Sequence, residues 1–311
     1  MEKSRVLITG AGGFIGQHLL EDLPADVFSI SVITRNPERL IKNLPVTCEV
    51  IKADLKDAGS LEKALKGIDM LVNTAAEVRN QDKLVETNIN GTINLIQAIV
   101  ANQVPRVIHL SSVGVVGMQY SNVPCKVDET TVCLPKNEYE RTKLESEKLL
   151  IAAAKKYGFS LVILRPTNVF GEAHPFKAML NLAKHVASGK PLIRTESAVV
   201  NYVYVKDVTA CIIHCMFNKN ISGVMNLGHP AALKELYSLL SSKLNGNCRQ
   251  FIMPQLLINF IDKTGLRKFQ SVANRVEYTD SLLGKVFTYP FGLEIGIGRT
   301  ITWYKKKGLL K

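Results

Sequence analysis

The chain has 311 residues, 46% of them hydrophobic and 21% charged. That is enough to bury a sizeable core in one large α/β domain or two unequal lobes, and it excludes a long repeat array. The 39 basic and 27 acidic residues leave a formal charge of +12, which suits nucleic acid, anionic lipid or a phosphorylated ligand without choosing among them. The densest basic run, Lys305 to Lys307 beside Trp303, has no nucleic-acid-binding motif with it and reads as a solvated face, so no nucleic-acid partner is expected. The longest apolar runs, 149–154 and 256–261, fall far short of the roughly 18 residues of a membrane span. With no leader-like start, the expectation is a cytoplasmic protein.

In chain order, short apolar runs at 6–9, 29–34, 47–52, 70–74, 106–111 and 160–165 alternate with helical patterns at 14–22, 60–66, 88–102 and 138–156. This predicts an α/β protein, a doubly wound parallel sheet of Rossmann type. The strands are aliphatic or β-branched and read as buried on both faces. Beyond Gly171 the rhythm fails: a helix is expected over 172–190, a strand over 199–205 and a helix over 208–217, with no β-α alternation from about Ala231. The expected division is a dinucleotide-binding domain over 1–171, with 197–230 returning to it, and a smaller C-terminal substrate lobe from 172–196 and 231–311.

The first strand runs into Thr9-Gly10-Ala11-Gly12-Gly13-Phe14-Ile15-Gly16 and directly into a helix. Gly10 permits a tight turn, Gly13 lets backbone approach a pyrophosphate, and Gly16 lets the helix pack on the sheet. The helix N-terminus then offers N–H groups and partial positive charge to phosphate. After the second strand, where an NAD site carries an acid for the ribose hydroxyls, the chain reads Thr34-Arg35-Asn36. Arg35 suits a 2′-phosphate, so NADP is preferred over NAD; the alternative is a surface arginine that tolerates either. Asp54, followed by Leu55, reads either as an acceptor for the adenine amino group or as a helix cap before Ser60.

Tyr139 and Lys143 are four residues apart on a predicted helix and so share one face. An ammonium beside a phenol favours the phenolate, an arrangement suited to proton exchange with a substrate hydroxyl or carbonyl. Ser111-Ser112, ending the preceding strand, adds a hydroxyl for the same oxygen. The six cysteines form no C-x-x-C pair or metal-ligand cluster and read as reduced packing residues, with no metal site.

These motifs, with Ala75-Ala76, Asn88, Arg165-Pro166, Tyr202 to Val208 and Asn226-Leu227-Gly228, resemble in order the landmarks of the extended short-chain dehydrogenase/reductases, the NAD-dependent epimerase/dehydratase type. The resemblance implies that Tyr139 is the general acid/base, Lys143 holds the nicotinamide ribose, and Ser112, five residues before Gly117, orients the substrate oxygen. It places Gly10, Gly12, Gly13, Phe14, Ile15, Gly16, Arg35, Asp54, Leu55, Ala75, Ala76, Asn88, Tyr139, Lys143 and Pro166 on the cofactor, and Ser112 and Asn168 on the substrate. Asn88 would support a helix irregularity and a proton-relay water, or else cap the helix from Ile89. Ala75 and Ala76 could equally serve packing, and Asn168 a turn.

The implied reaction is alcohol–ketone interconversion on a nucleotide sugar, as a 4-epimerase or 4-ketoreductase, by a homodimer. Dehydratases of the family carry Thr-Asp-Glu where this chain has Ser112-Val113-Gly114, so dehydration is not expected. Val200 stands where sugar-nucleotide enzymes commonly place a diphosphate-binding arginine, which leaves Lys177, Arg194, Arg267 and Arg275 as stand-ins. One alternative is an NADPH-dependent reductase of a non-nucleotide ketone or aldehyde, like the dihydroflavonol or 3β-hydroxysteroid branches. Another is a non-catalytic NADP-binding sensor, against which the intact Ser112, Tyr139 and Lys143 argue.

Overall fold

A computed structural model describes residues 3–41, 44, 48–244, 249–254, 256–258 and 270–310; Thr47, Cys248, Arg267 and 259–261 of the readings above lie outside them. The chain packs as two units. The first comprises Met1–Gly117, Val132–Arg165 and Thr209–Met225, and the second Met118–Thr131, Pro166–Val208 and Asn226–Lys311.

The first unit is built on a seven-stranded sheet of β1 (Ser4–Thr9), β2 (Phe28–Thr34), β3 (Glu49–Lys52), β4 (Met70–Asn73), β5 (Arg106–Leu110), β6 (Ser160–Pro166) and β7 (Gly223–Leu227). Their order is β7-β6-β5-β4-β1-β2-β3, and the pairings among the first six are parallel. The crossovers carry α1 (Phe14–Asp22), α2 (Pro37–Ile41), α3 (Ala58–Ala64), α4 (Gly91–Ala101) and α5 (Glu138–Tyr157). This is the predicted Rossmann architecture. The winding reverses between β1 and β4, and in such sheets ligands bind beyond the carboxyl ends of the strands at that switch point.

The core explains the arrangement. Leu7, Leu71, Val107 and Ile163 project from four adjacent strands onto Leu61, Leu65, Leu95, Ile99 and Leu150 of the covering segments, all at most 1% exposed. The longest of these helices, α5, is fixed at both ends. Asn137 caps it by accepting from the Glu140 N–H at 2.9 Å, Glu138 and Glu140 lie in the first turn, Lys155 and Lys156 in the last, and Gly158 closes it at φ 80°. Its buried face runs Lys143, Ser146, Glu147, Leu150 and Ala153, a stripe at helical spacing that holds two charged groups.

The helix expected over 88–102 differs. It begins as a π-helical turn over Val85–Asn90, and only Gly91–Ala101 is α-helical. In α3 the cap is Asp57, which accepts from the N–H groups of Gly59 and Ser60, not Asp54.

In the second unit, Asn168–Phe170 pairs in parallel with Val199–Tyr204, which pairs antiparallel with His229–Ala232. Gly296 of the helix Gly292–Lys306 abuts this sheet so closely that a Cβ there would lie 2.6 Å from the Tyr204 ring. The helix expected over 172–190 forms only over Ala178–Ala187; Ala173 at φ 61° and the following Pro175 interrupt the chain before it. The region after Ala231 is more regular than expected. Helix Leu233–Lys243 buries Leu233, Leu236, Tyr237 and Leu240, a helical spacing. The predicted strand and helix boundary near 205–208 falls one strand residue earlier, with Val205–Phe217 helical.

The described cysteines are unbridged, and Cys211 and Cys215 are buried. Among the described residues, no helix is long and apolar enough to cross a membrane.

Candidate active site

The carboxyl ends of β1, β4 and β5 gather the predicted residues of the first unit. At β1, Gly10 turns at φ 73°, and a Cβ there would meet the Ala75 nitrogen at 2.6 Å; at Gly16 it would lie 2.2 Å from the Gly10 carbonyl oxygen. Only glycine fits either place. The turn closes with Gly13 N–H donating to the Gly10 carbonyl at 2.8 Å. Gly13 is the N-cap of α1, and no side chain caps the helix. A backbone cradle with an uncapped helix start fits a pyrophosphate, with Gly12, Gly13, Phe14 and Ile15 at its mouth.

Arg35 is exposed directly after β2. Its neighbourhood is a built turn in which Thr34 Oγ1 accepts from Asn36 N–H at 3.2 Å and Asn36 Oδ1 from Arg39 N–H at 3.2 Å. After β3, Asp54 accepts from Lys56 N–H at 3.1 Å. Leu55 is held against α4 through Asn94 Nδ2, which donates to its carbonyl at 2.8 Å.

After β4, Ala75 N–H donates to Thr9 Oγ1 and to Asn73 Oδ1, each at 3.3 Å, while Ala76 is exposed. Buried Asn88 ties this segment down: it accepts from Glu77 N–H at 2.8 Å, and donates to the Glu77 carbonyl at 3.0 Å and to Thr142 Oγ1 at 3.1 Å. Asn88 therefore sits inside the π-helical turn, a helix irregularity, and does not cap a helix from Ile89. A small cavity of about 10 Å³ is lined by Asn73, Asn88, His109, Lys143 and Ser146 among others, about the space one water needs.

The segment after β5 carries Ser111, 5% exposed, whose buried hydroxyl has no hydrogen-bond partner among the described residues. Ser112 caps the turn Val113–Val116, accepting from Gly114 N–H at 3.0 Å. That turn lies against the start of α5, where a Cβ on Gly114 would come 3.3 Å from Glu140 Cγ. One turn along, Lys143 Nζ, fully enclosed, donates to the Leu110 carbonyl at 2.7 Å. Lys143 is thus docked on the end of β5, and the turn that Ser112 caps lies against the start of α5, which carries Tyr139.

The electrostatics differ from the sequence expectation that the ammonium lowers the phenol's pKa. Burial, joined by the Glu140 carboxylate, pushes the Tyr139 phenol up to about 12. Burial brings the Lys143 ammonium down to about 8, against the attraction of Glu147. Desolvation outweighs the phenol–ammonium interaction here, so the phenol is the protonated form.

Sequence reasoning missed a buried histidine and a buried ion pair in this unit. His109, 1% exposed, lies between Asn73 Nδ2 at 3.0 Å from its Nδ1 and Lys143 Nζ at 3.4 Å from its Nε2. The available signal was a lone histidine in the otherwise aliphatic run Val107 to Leu110. Arg165, read as a family landmark, forms a two-pronged ion pair with Glu147: Nε to Oε1 at 3.0 Å and Nη2 to Oε2 at 2.6 Å.

Pro166 and Asn168 belong to the second unit. Asn168 Nδ2 there donates to the Asn201 carbonyl at 3.0 Å. Of the candidate diphosphate cations, Arg194 is engaged by Gln250 Oε1 at 2.7 Å and Glu196 Oε2 at 3.2 Å.

The chain is similar to several known proteins. The model of the NAD dependent epimerase/dehydratase family matches residues 6–228. The N-acetyl-alpha-D-glucosaminyl-diphospho-ditrans,octacis-undecaprenol 4-epimerase of Escherichia coli O157:H7 is 34% identical over 191 residues, covering 60% of this chain and 54% of that relative, about half its length. Cinnamoyl-CoA reductase 1 of Petunia hybrida is 32% identical over 221 residues, 65% of this chain and 66% of the reductase. Among solved structures, the UDP-glucose 4-epimerase of Thermus thermophilus, in complex with NAD, aligns with a TM-score of 0.72 at 23% identity, over 97% of this chain and 99% of that one. That last likeness shows the shared fold.

Proposed function

The chain belongs to the NAD-dependent epimerase/dehydratase family, the extended short-chain dehydrogenase/reductase enzymes, and on that premise we propose that it interconverts alcohol and ketone on a nucleotide-linked sugar. The reaction is that of a 4-epimerase or 4-ketoreductase, with NADP preferred over NAD. The observation that carries this reading is the docking of Lys143 Nζ on the Leu110 carbonyl at 2.7 Å, which fixes the helix that carries Tyr139 to the end of β5, two residues before Ser112.

The bound nicotinamide would supply and take back hydride at the sugar carbon. The Gly10 to Gly16 cradle and the α1 N-terminus hold the pyrophosphate, Asp54 and Leu55 meet the adenine, and Arg35 takes a 2′-phosphate. Lys143 would hold the nicotinamide ribose. Ser112 donates to the substrate oxygen, and Tyr139, protonated in this structure, passes its phenolic proton to that oxygen as a ketone becomes an alcohol. Reversal returns the proton to the phenolate. Val113 and Gly114 offer no second acid or base, which supports redox chemistry without loss of water. Pairing of two copies through α4 and α5, which expose Ile93 (39%) and Ile151 (44%), belongs to the same proposal.

Val200 in place of a diphosphate-binding arginine, together with the likeness to a cinnamoyl-CoA reductase, supports a second reading: an NADPH-dependent reductase of a non-nucleotide ketone or aldehyde. A calorimetric panel of UDP-, GDP-, CDP- and dTDP-sugars, run with NADP+ and with NAD+, separates them. The first reading expects one nucleotide series to bind and NADP+ to bind more tightly than NAD+. Binding of none of the sugars transfers the assignment to the second reading.

A further inference from the structure

The groups behind Lys143 form a chain whose proton positions can be worked out. Asn73 Oδ1 accepts from the Thr9 hydroxyl at 2.5 Å and from the Ala75 backbone N–H at 3.3 Å. The Ala75 N–H is shared with Thr9 Oγ1, but the 2.5 Å contact to the Thr9 hydroxyl is an O–H···O spacing too short for N–H···O, so this end of the amide is the oxygen and the Nδ2 group faces His109. Nδ2 only donates. His109 Nδ1, 3.0 Å away, must therefore present its lone pair, and the proton of a neutral ring sits on Nε2, the nitrogen 3.4 Å from Lys143 Nζ.

Resting on the catalytic reading above, we infer that His109 is a positioning residue for Lys143, locked as the Nε2–H tautomer by the Thr9, Asn73 and Ala75 network and presenting that N–H to the lysine nitrogen. The lock selects a protonation state. An ammonium has three N–H groups and no lone pair, so opposite Nε2–H it meets a donor with a donor. A neutral amine accepts from Nε2–H and still donates to the Leu110 carbonyl. The arrangement favours the amine, in the same direction as burial, which also holds the imidazole well below its ordinary pKa alongside Lys143.

The other charged groups near Nζ are few. Glu147, one turn on along α5, draws the lysine toward its charged form, but its carboxylate is engaged by Arg165 from β6. Tyr139 lies one turn back. From the π-helical turn and α4, the cavity beside Nζ is lined by Thr87, Asn88, Gly91 and Thr92, and from the segment after β3 by Leu55, none of which titrates. His109 is the titratable group that faces the amine from the sheet. Lys143 would thus sit near its titration point at working pH.

Asn73→Asp tests this with almost no change of shape. A carboxylate still accepts from Thr9 and Ala75, but toward His109 it offers an acceptor, so the ring proton moves to Nδ1 and Nε2 turns a lone pair to Lys143. The ring tautomer is read from two-bond 15N–1H spectra of histidine-labelled protein, and Lys143 titration from 13Cε-lysine spectra assigned with Lys143→Met. The wild type should show Nε2–H. The variant should show a proton on Nδ1, and the added carboxylate charge together with the Nε2 lone pair should move the Lys143 titration and the matching limb of the turnover pH profile up by about one to two pH units. Nδ1–H in the wild type, or an unmoved lysine titration in a folded variant, overturns the inference. The wild-type spectrum needs no variant to fold and no substrate. A chain inactive on every sugar but carrying Nε2–H sinks the function and not the tautomer, while an active chain carrying Nδ1–H does the reverse.

Discussion

Two buried charges one turn apart on α5 are treated in opposite ways. Glu147, 1% exposed, meets Arg165, 6% exposed, through paired contacts, and the couple joins the helix to β6 as a fixed element. Lys143 is equally enclosed yet has no carboxylate on its amine: it has a carbonyl at 2.7 Å and an imidazole at 3.4 Å. The first arrangement keeps both charges permanent, while the second leaves the charge conditional, with the ammonium brought down to about 8 by burial. A buried ion whose partner matches it serves the fold, and one held at its titration point serves chemistry.

The largest expected effect breaks the first arrangement. Glu147→Gln strands the Arg165 guanidinium in the core and should lower unfolding free energy by about 3–5 kcal/mol in urea titrations. A loss under about 1 kcal/mol would show that the pair does not hold α5 to the sheet.

Next comes the pH dependence of Lys143. Its pKa is about 8 folded against an ordinary 10.5, so between these values the unfolded chain binds more protons. Stability then rises with pH across that window, by on the order of 2–3 kcal/mol at one proton and 1.36 kcal/mol per unit. Lys143→Met should remove the rise. A wild-type curve that stays flat from pH 8 to 10 after the variant's own baseline is subtracted would contradict the buried amine.

The smallest effect sharpens the contrast. Glu138 and Arg141, on the same helix, are as close as the buried pair at 2.5 Å but 38% and 49% exposed. Glu138→Gln should cost less than about 1 kcal/mol, and a larger loss would mean that proximity rather than burial decides what an ion pair contributes.

The same contrast marks what could be read from the sequence. Aliphatic strands and glycine turns announce themselves locally, so β1, α1 with its ends at Phe14 and Asp22, and the doubly wound parallel sheet were legible, as was the shared face of Tyr139 and Lys143. What was not legible depends on partners distant in sequence. His109 reads as a strand residue until Asn73 and Lys143 flank it. Arg165 and Glu147 are 18 residues apart and give no sign of each other. The phenol's raised pKa is a matter of solvent exclusion, which spacing does not report. The helix irregularity at Asn88 was implied by the family resemblance, but its partners Glu77 and Thr142 were not. In the second unit, the spacing of Leu233, Leu236, Tyr237 and Leu240 was available but obscured by the punctuation around it.

The claim on which the account turns is that the Tyr139 phenol carries the proton that hydride transfer requires. Tyr139→Phe keeps the ring and removes only the hydroxyl that carries that proton, so once the panel has identified a substrate, the decisive measurement is hydride transfer followed by nicotinamide absorbance in a single turnover. The account predicts a rate lower by at least about a hundredfold, with NADP+ binding unchanged by calorimetry. An unchanged rate would contradict it.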